Sequence, residues 1–459
     1  MKDCPMDTAP ITWRHIRILA TASMGQVLGT TLATLVGIVI PLLQLVREKP
    51  LASWEQGALG CVSLIGITVG SMVIGRLSDR FGYLFFFRFC PLLAAAAALT
   101  AWRFEALAVQ AACLFAMGFG IGGGYSLDSN YVSETMPDKW KGFMVGAAKA
   151  FCSLGNICTA ALCFWILKSA PDPQIWNSLW LIVAFTASAM FISRIPFAQS
   201  PEWLLERGKR TEAESAVRQL LGPGVTLPAA VKKSDFGQDQ NSDEPERAFF
   251  TAANFPKIML CGVPWACEGL GVYGIGIFLP QLLMALGLDR RLFGTAAAFS
   301  GIGRVTDSVG LTALVSLAIL PGFILGLFLI RRYRPVSVQT MGFAACAAGI
   351  FLLLLSETLH LSVWLSLAGL MIFEIFLNAG PHLVTFVLPS AVYPVKDRGE
   401  GAGFAAACGK TGAVAAVFCI PILLEAGGMS LVLWVTFAVQ IVGAWVTWHY
   451  RNAVSDFSK

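Results

Sequence analysis

NAGPHLVTFVLPSAVYPVKDRGEGAGFAAACGKTG, residues Asn378 to Gly412, is the stretch whose reading decides the fold. It begins in an apolar segment, surfaces in a charged turn at Lys396-Asp397-Arg398, and enters a second apolar segment. Lys410 lies roughly ten residues into that second segment, about 12–15 Å deep at about 1.5 Å per helical residue. A lysine at such depth costs about 3 kcal/mol on insertion scales, so it is expected to face an aqueous cavity or a partner. The alternative is a stem that snorkels its ammonium to the interface; at this depth the stem is too short to reach water easily.

Working outward, the whole chain repeats this texture. Of its 459 residues 56% are hydrophobic and 13% charged, whereas about 25% charged is usual in soluble domains. Apolar runs of span length recur, and we place twelve spans at 16–46, 56–79, 83–101, 106–134, 142–167, 177–197, 256–286, 306–330, 336–355, 361–393, 401–424 and 429–450. The first run is too long for a signal peptide and lacks a clear cleavage site. The expected fold is an all-α membrane protein of twelve transmembrane helices. The long polar insert 198–255 divides them into a six-helix bundle at 1–197 and another at 256–459. SPEWLLERGKRTEAESAVRQLLG predicts one or two short amphipathic helices, and FGQDQNSDEPER reads as linker. With both termini in the cytoplasm, 24 of the 33 Lys and Arg fall on the cytoplasmic side, seven outside, and Lys149 and Lys410 within spans. The positive-inside rule favours that orientation, in the plasma membrane (the inner membrane if bacterial).

Nearly all of the 12 cysteines sit inside apolar runs, without a CxxC pair. They read as small membrane residues. The 4 histidines form no cluster at ligand spacing. No metal, cofactor or nucleic-acid partner is expected, and an enzyme would need a clustered nucleophile or metal site.

Five ionisable residues lie well within spans: Asp128, Lys149, Glu268, Glu374 and Lys410. Lysines facing a cavity favour an anion; carboxylates can neutralise them or carry protons. A static pair, Asp128 with Lys149 for example, is the plainer alternative. Glu268 and Glu374 lie nearly 20 Å along their helices, near the midplane. Asp128 is close to the turn after span 4 and more easily hydrated, so the two glutamates rank ahead of it as proton carriers. Span 2 runs into GRLSDRFG. There Gly75 permits close helix approach, Gly82 a tight turn, and Asp79 can accept from arginines or backbone donors. Such a cluster can latch two half-bundles in one state and release them in the other, with Asp79, Arg80, Gly75 and Gly82 as candidate gating residues.

The opening stretch resembles spans 10 and 11 of the proton-coupled phosphate symporters of the major facilitator superfamily. The resemblance rests on Asn378, Gly380-Pro381, Thr385-Phe386, Pro389, Tyr393-Pro394, Arg398 and Gly409-Lys410-Thr411-Gly412, with the spacing kept. GRLSDRFG resembles the superfamily's loop after span 2, in which two basic residues usually follow the glycine. Tyr83 and Leu84 stand there, with Arg88 a substitute, and the resemblance implies Glu134 and Arg398 as further gating residues. Glu134, Pro137, Lys141 and Gly142, with Ser200-Pro201-Glu202-Trp203-Leu204, resemble boxes of the sugar porters. Gly122-Gly123-Gly124-Tyr125-Ser126-Leu127-Asp128 is similar to the symporters' span 4, with glycine at the acid position and the acid one turn on. Span 7 keeps Trp265 and Tyr273-Gly274, with Glu268 displaced by one position. This resemblance implies a secondary transporter working by alternating access, with Lys410, Asn378, Tyr273, Trp265, Tyr125 and Lys149 toward the solute and Glu268, Glu374 and Asp128 toward protons. The expected partners are protons, membrane lipid and a small polar or anionic solute (organic anion, phosphate or sugar-like), and the expected state is a monomer. A proton-antiport efflux carrier for an organic metabolite or drug shares the fold; a non-transporting membrane sensor would carry a larger soluble domain.

Overall fold

The structure is a computed structural model that describes residues 4–5, 10–137, 139–222, 224–227, 250–252, 254–293, 301–393 and 398–453. The first six spans are built from α1 (Trp13–Val46), α2 (Ser53–Phe81), α3 (Tyr83–Arg103), α4 (Leu107–Thr135), the pair α5 (Lys141–Ala150) and α6 (Cys152–Ser169), and α7 (Trp180–Arg194). Two short helices follow, α8 (Pro201–Glu206) and α9 (Arg210–Leu221). Span 7 is α10 (Phe255–Gly269), a π-helical turn at Leu270–Ile275, and α11 (Gly276–Ala285). After α12 (Leu288–Phe293), span 8 is α13 (Gly301–Ser316) with α14 (Ile319–Arg332), and span 9 is α15 (Pro335–Thr358). Span 10 is broken into α16 (Val363–Ala379) and α17 (Pro381–Val392). The last run, α18 (Arg398–His449), is two helices merged, since Gly427 and Gly428 leave helical geometry inside it. Eleven helices are long and apolar enough to cross a membrane, and dividing the last one at Gly427–Gly428 makes twelve among the described residues.

Grouped by packing, the chain makes two compact units: 1–35, 62–159 and 174–232 in the first, 36–61, 160–173 and 233–459 in the second. These bounds differ from the chain-order division at 197 and 256. The reason is close packing in the second unit, where ends of α1, α2 and α6 meet later helices. A Cβ on Gly37 would lie 1.8 Å from the carbonyl oxygen of Ile277, and one on Gly57 2.3 Å from that of Phe418. Gly310 faces the Phe164 ring, and Ser53 donates to Glu425.

In the first unit, α2 and α4 interlock through two small-residue pairs at four-residue spacing. A Cβ would fall 2.3 Å from the Phe115 oxygen at Gly66, 2.1 Å from the Phe119 oxygen at Gly70, 2.1 Å from the Ser63 oxygen at Gly118 and 2.0 Å from the Ile67 oxygen at Gly122. Glycine permits such backbone contact, which is where membrane helices gain packing.

The insert docks on the same unit. Ser200 caps α8 by accepting from the Trp203 amide at 3.2 Å, with Pro201 at the first helical position, so the Ser-Pro-Glu-Trp box is a helix start. Ala213, Ala216, Val217, Leu220 and Leu221 on the apolar face of α9 enter a core with Ile18, Tyr83, Phe86 and Tyr131. The turn after span 2 is tied to this box. Gly82 has φ 92°, a value that favours glycine, and Gln199 Oε1 accepts from the Leu84 amide at 2.9 Å. Arg207 donates to the Arg80 carbonyl at 3.2 Å and stacks 3.9 Å over Trp203. Thr226 and Val225 pair in parallel with Pro5 and Cys4.

Gly122→Ala is expected to lower stability by about 1–3 kcal/mol, because the helices must separate to admit one methyl. Gly146→Ala, where a Cβ meets nothing within 4 Å, serves as the control. Thermal unfolding in detergent measures both, and equal melting temperatures would contradict the packing argument.

Candidate functional site

In the second unit, α10 and α18 run backbone to backbone. A Cβ on Gly269 would sit 2.6 Å from the Gly409 carbonyl oxygen, and one on Gly412 2.3 Å from that of Ala266. Gly409 also faces the Trp265 indole, 2.5 Å from a built Cβ to Cδ1. This contact brings Glu268 and Lys410, each next in sequence to a contacting glycine, to the same level. The π turn begins two residues after Glu268; such turns widen a helix and often mark functional sites. Across from it, span 10 breaks at Gly380 (φ −115°, ψ −92°), and Pro381, which has no N–H to offer, starts α17. Two irregular spans thus meet inside this unit, and transporters place binding sites at such interrupted helices.

The break positions His382. Its Nδ1 shares a hydrogen bond with Glu268 Oε1, and both side chains are buried, at 7% and 3% exposure. The Phe323 ring stands edge-on to the imidazole, centroids 5.5 Å apart. The Lys410 ammonium is 3.4 Å from the Tyr273 hydroxyl and 5.0 Å from its ring centroid, a cation–π approach. Glu268 is within electrostatic reach of Lys410. Trp265 meets Phe386 edge-on at 6.3 Å. Asn378 donates to the Glu374 carbonyl of its own helix at 2.8 Å. Glu374 is buried, and among the described residues no cation is paired with it. Of the expected residues, Glu268, Lys410, Tyr273, Trp265, Asn378 and Glu374 therefore share one unit.

Tyr125, Asp128 and Lys149 lie in the other. The Tyr125 hydroxyl fills the space where a Cβ on Gly29 would be, 1.7 Å from it. Lys149 is partly buried in the last turn of α5, two residues before the step at Phe151. The suggested Asp128–Lys149 pair is corrected: Asp128 Oδ1 pairs with Arg194 at 2.5 Å. Asp128 is also not the hydrated acid that its place near the turn suggested. It is 4% exposed and Arg194 0%. The guanidinium also donates to the Phe87 carbonyl at 3.0 Å and lies 3.9 Å over the Phe87 ring. Among the described residues Asp128 Oδ2 has no hydrogen-bond partner, and it occupies the gap opposite Gly25, 2.0 Å from where a Cβ would be. Arg88, suggested as a latch residue, donates instead to the carbonyls of Arg194, Ile195 and Phe197 that end α7, an arginine cap of a helix C-terminus.

Among the gating candidates, Gly75 accepts from Ser78 at 2.7 Å, and Arg80 is exposed with its carbonyl engaged by Arg207. The side chains of Asp79, Glu134 and Arg398 lie outside the described residues. Residue reasoning missed His382, Arg194 and the group in which Arg304 pairs with the fully buried Asp289 at 2.9 Å. A histidine after Gly-Pro inside an apolar span was a signal for the first. The other two had none, since they stand near span ends where charge is ordinary.

The profile of the sugar (and other) transporter family matches residues 23–450. The inner membrane metabolite transport protein YgcS of Escherichia coli is 25% identical over 450 residues, 96% of this chain and 92% of that protein. The repressible high-affinity phosphate permease of Neurospora crassa is 23% identical over 452 residues, 89% of this chain and 78% of the permease. The partially occluded inward-open structure of the xylose transporter XylE from E. coli superposes with a TM-score of 0.76 at 16% identity, covering 95% of this chain and 98% of that one. The major facilitator fold of twelve helices in two bundles follows.

Arg194→Met should lower stability by about 3–5 kcal/mol, since it strands a buried carboxylate. The double variant Arg194→Met with Asp128→Leu should recover most of that loss. A double-mutant cycle on unfolding measures the coupling, and additive effects would contradict a direct pair.

Proposed function

Because the chain belongs to the sugar (and other) transporter family, we propose that it is a proton-coupled symporter importing a small anionic solute by alternating access. One observation carries this reading. Lys410 and Tyr273 stand beside the buried Glu268–His382 pair, where spans 7 and 10 both lose regular helix. An ammonium held deep in a span at an aromatic hydroxyl is built to receive an anionic group, and a nearby carboxyl can hold a proton. In this reading Lys410, Tyr273, Trp265, Asn378, Tyr125 and Lys149 contact the solute. Glu268 and Glu374 rank ahead of Asp128 as proton carriers, because Asp128 is already engaged in a buried pair with Arg194, whose guanidinium keeps its own proton. The chain acts as a monomer among lipids with both termini cytoplasmic. Gly75, Asp79, Arg80, Gly82, Glu134 and Arg398 form the cytoplasmic latch.

Uptake into proteoliposomes tests the solute class, using labelled phosphate and a panel of small carboxylates against xylose as the neutral control. An inward proton gradient should drive accumulation of one or more anions and not of xylose. Lys410→Ala should cut that uptake by at least about tenfold, the low end for losing a desolvated charge contact, with the protein still folded and inserted. Wild-type uptake by Lys410→Ala would sink the assignment.

Proton coupling gives a second test. Glu268→Gln is expected to lose accumulation against a gradient while retaining exchange of solute down its own gradient. Accumulation that survives in Glu268→Gln and Glu374→Gln but fails in Asp128→Asn would move the proton to span 4.

A further inference from the structure

We infer that His382 and Glu268 form the proton site of this transporter, and that its proton sets the charge under which Lys410 accepts a monoanion. This rests on the symport reading above and adds to it a residue, His382, and a reason for coupling. The geometry is a buried hydrogen bond between His382 Nδ1 and Glu268 Oε1, at the break of one span and the π turn of another. Lys410 follows Gly409, whose carbonyl touches Gly269 next to Glu268. Three side chains of changeable or fixed charge are thereby gathered at one helix contact.

Their charges sum simply. With Glu268 ionised, His382 neutral and Lys410 charged, the trio carries zero. A proton taken up from the outer water by the imidazole raises it to +1. A monoanion then brings the site to zero again. Proton and anion therefore each favour the other by charge, and releasing either on the inner side weakens the hold on its companion. Imidazole suits this duty because it changes charge near neutral pH, which the guanidinium opposite Asp128 does not.

The titratable and polar groups on the elements packed around the pair modulate this sum without replacing it. They include Cys267 beside Glu268 and Tyr273 on the π turn, Lys410 and Cys408 on α18, and Glu374 and Asn378 on α16. From α14 the ring of Phe323 covers the imidazole, and Cys346 on α15 is in electrostatic reach of Glu374. Thr385, the neighbour on α17, spends its hydroxyl on the Pro381 carbonyl.

The experiment needs no solute for its first reading. Protein reconstituted on a solid-supported membrane is given a pH jump, and the transient charge movement is recorded. Wild type and His449→Gln, whose histidine is exposed, should show the movement. Glu268→Gln, His382→Gln and His382→Asn should each lose most of it while eluting and melting as folded protein. Movement that persists unchanged in both His382 variants overturns the proposal.

The second reading adds phosphate and the carboxylates that wild type transports. Their apparent affinity should rise about tenfold per pH unit of acidification, the slope of one linked proton, and become flat in His382→Gln. A slope kept in His382→Gln also overturns the proposal. Wild-type uptake of xylose alone, with the His382-dependent charge movement intact, keeps the pair as the proton site and overturns the anion reading beneath it.

Discussion

The contact of α10 with α18 at Gly269 and Gly409 is the constraint on which the polar centre depends. Lipid supplies no hydrophobic pressure between helices, so close approach must be won by small residues that let backbones touch. Here glycine on both helices removes the side chains that would hold the axes apart, and the residues beside those glycines are Glu268 and Lys410. Opposite charges are thus brought to one level by backbone packing rather than by long flexible stems. A charge this deep is tolerable only with such company.

The same economy explains the two irregular spans. A regular helix satisfies its own backbone and has no polar group to give to a ligand. Span 7 widens to a π turn just after its acid, and span 10 stops at Gly380 and restarts at Pro381. Proline is tolerated there because the first turn of a helix has no intrahelical acceptors for its amides. Gly342 of α15 closes against Gly380, where a Cβ would lie 2.8 Å from the Gly342 Cα. The break is therefore packed by protein and not left to lipid, which is the condition under which irregular backbone survives at this depth.

Much of this was legible in residues 378–412. Lys410 announces itself by depth, and Gly380-Pro381 announces a break because that dipeptide cannot continue a helix. The spans were legible because apolar runs need only length. Partners were not. Arg194 lies three residues from the expected end of span 6, where charge needs no explanation, so nothing in the sequence marks it as fully buried. The positive-inside count takes it with the cytoplasmic flank, and spacing offers Lys149 only as one example of a partner for Asp128. Which helix faces which is a matter of tertiary packing, and one-dimensional spacing carries no signal for it. His382 is the reverse case: its position was plain and its significance lay only in meeting Glu268, 114 positions away in the chain.

Two buried pairs, one in each unit, show how similar geometry can yield different duties. Asp128 and Arg194 are both almost fully buried and joined at 2.5 Å, with the guanidinium also held by the Phe87 carbonyl and ring. Arginine does not give up its proton in a protein, so the base of this pair keeps its charge, and the pair braces α4, α3 and α7. Glu268 and His382 are equally buried, yet the base is an imidazole covered by one aromatic edge. Imidazole is the side chain that ordinarily changes charge near neutral pH. Exchanging the two bases between the sites would give the first unit a base able to lose its proton and the second a base that keeps it. The residue that separates scaffold from switch is therefore the nitrogen base, and the carboxylate serves both.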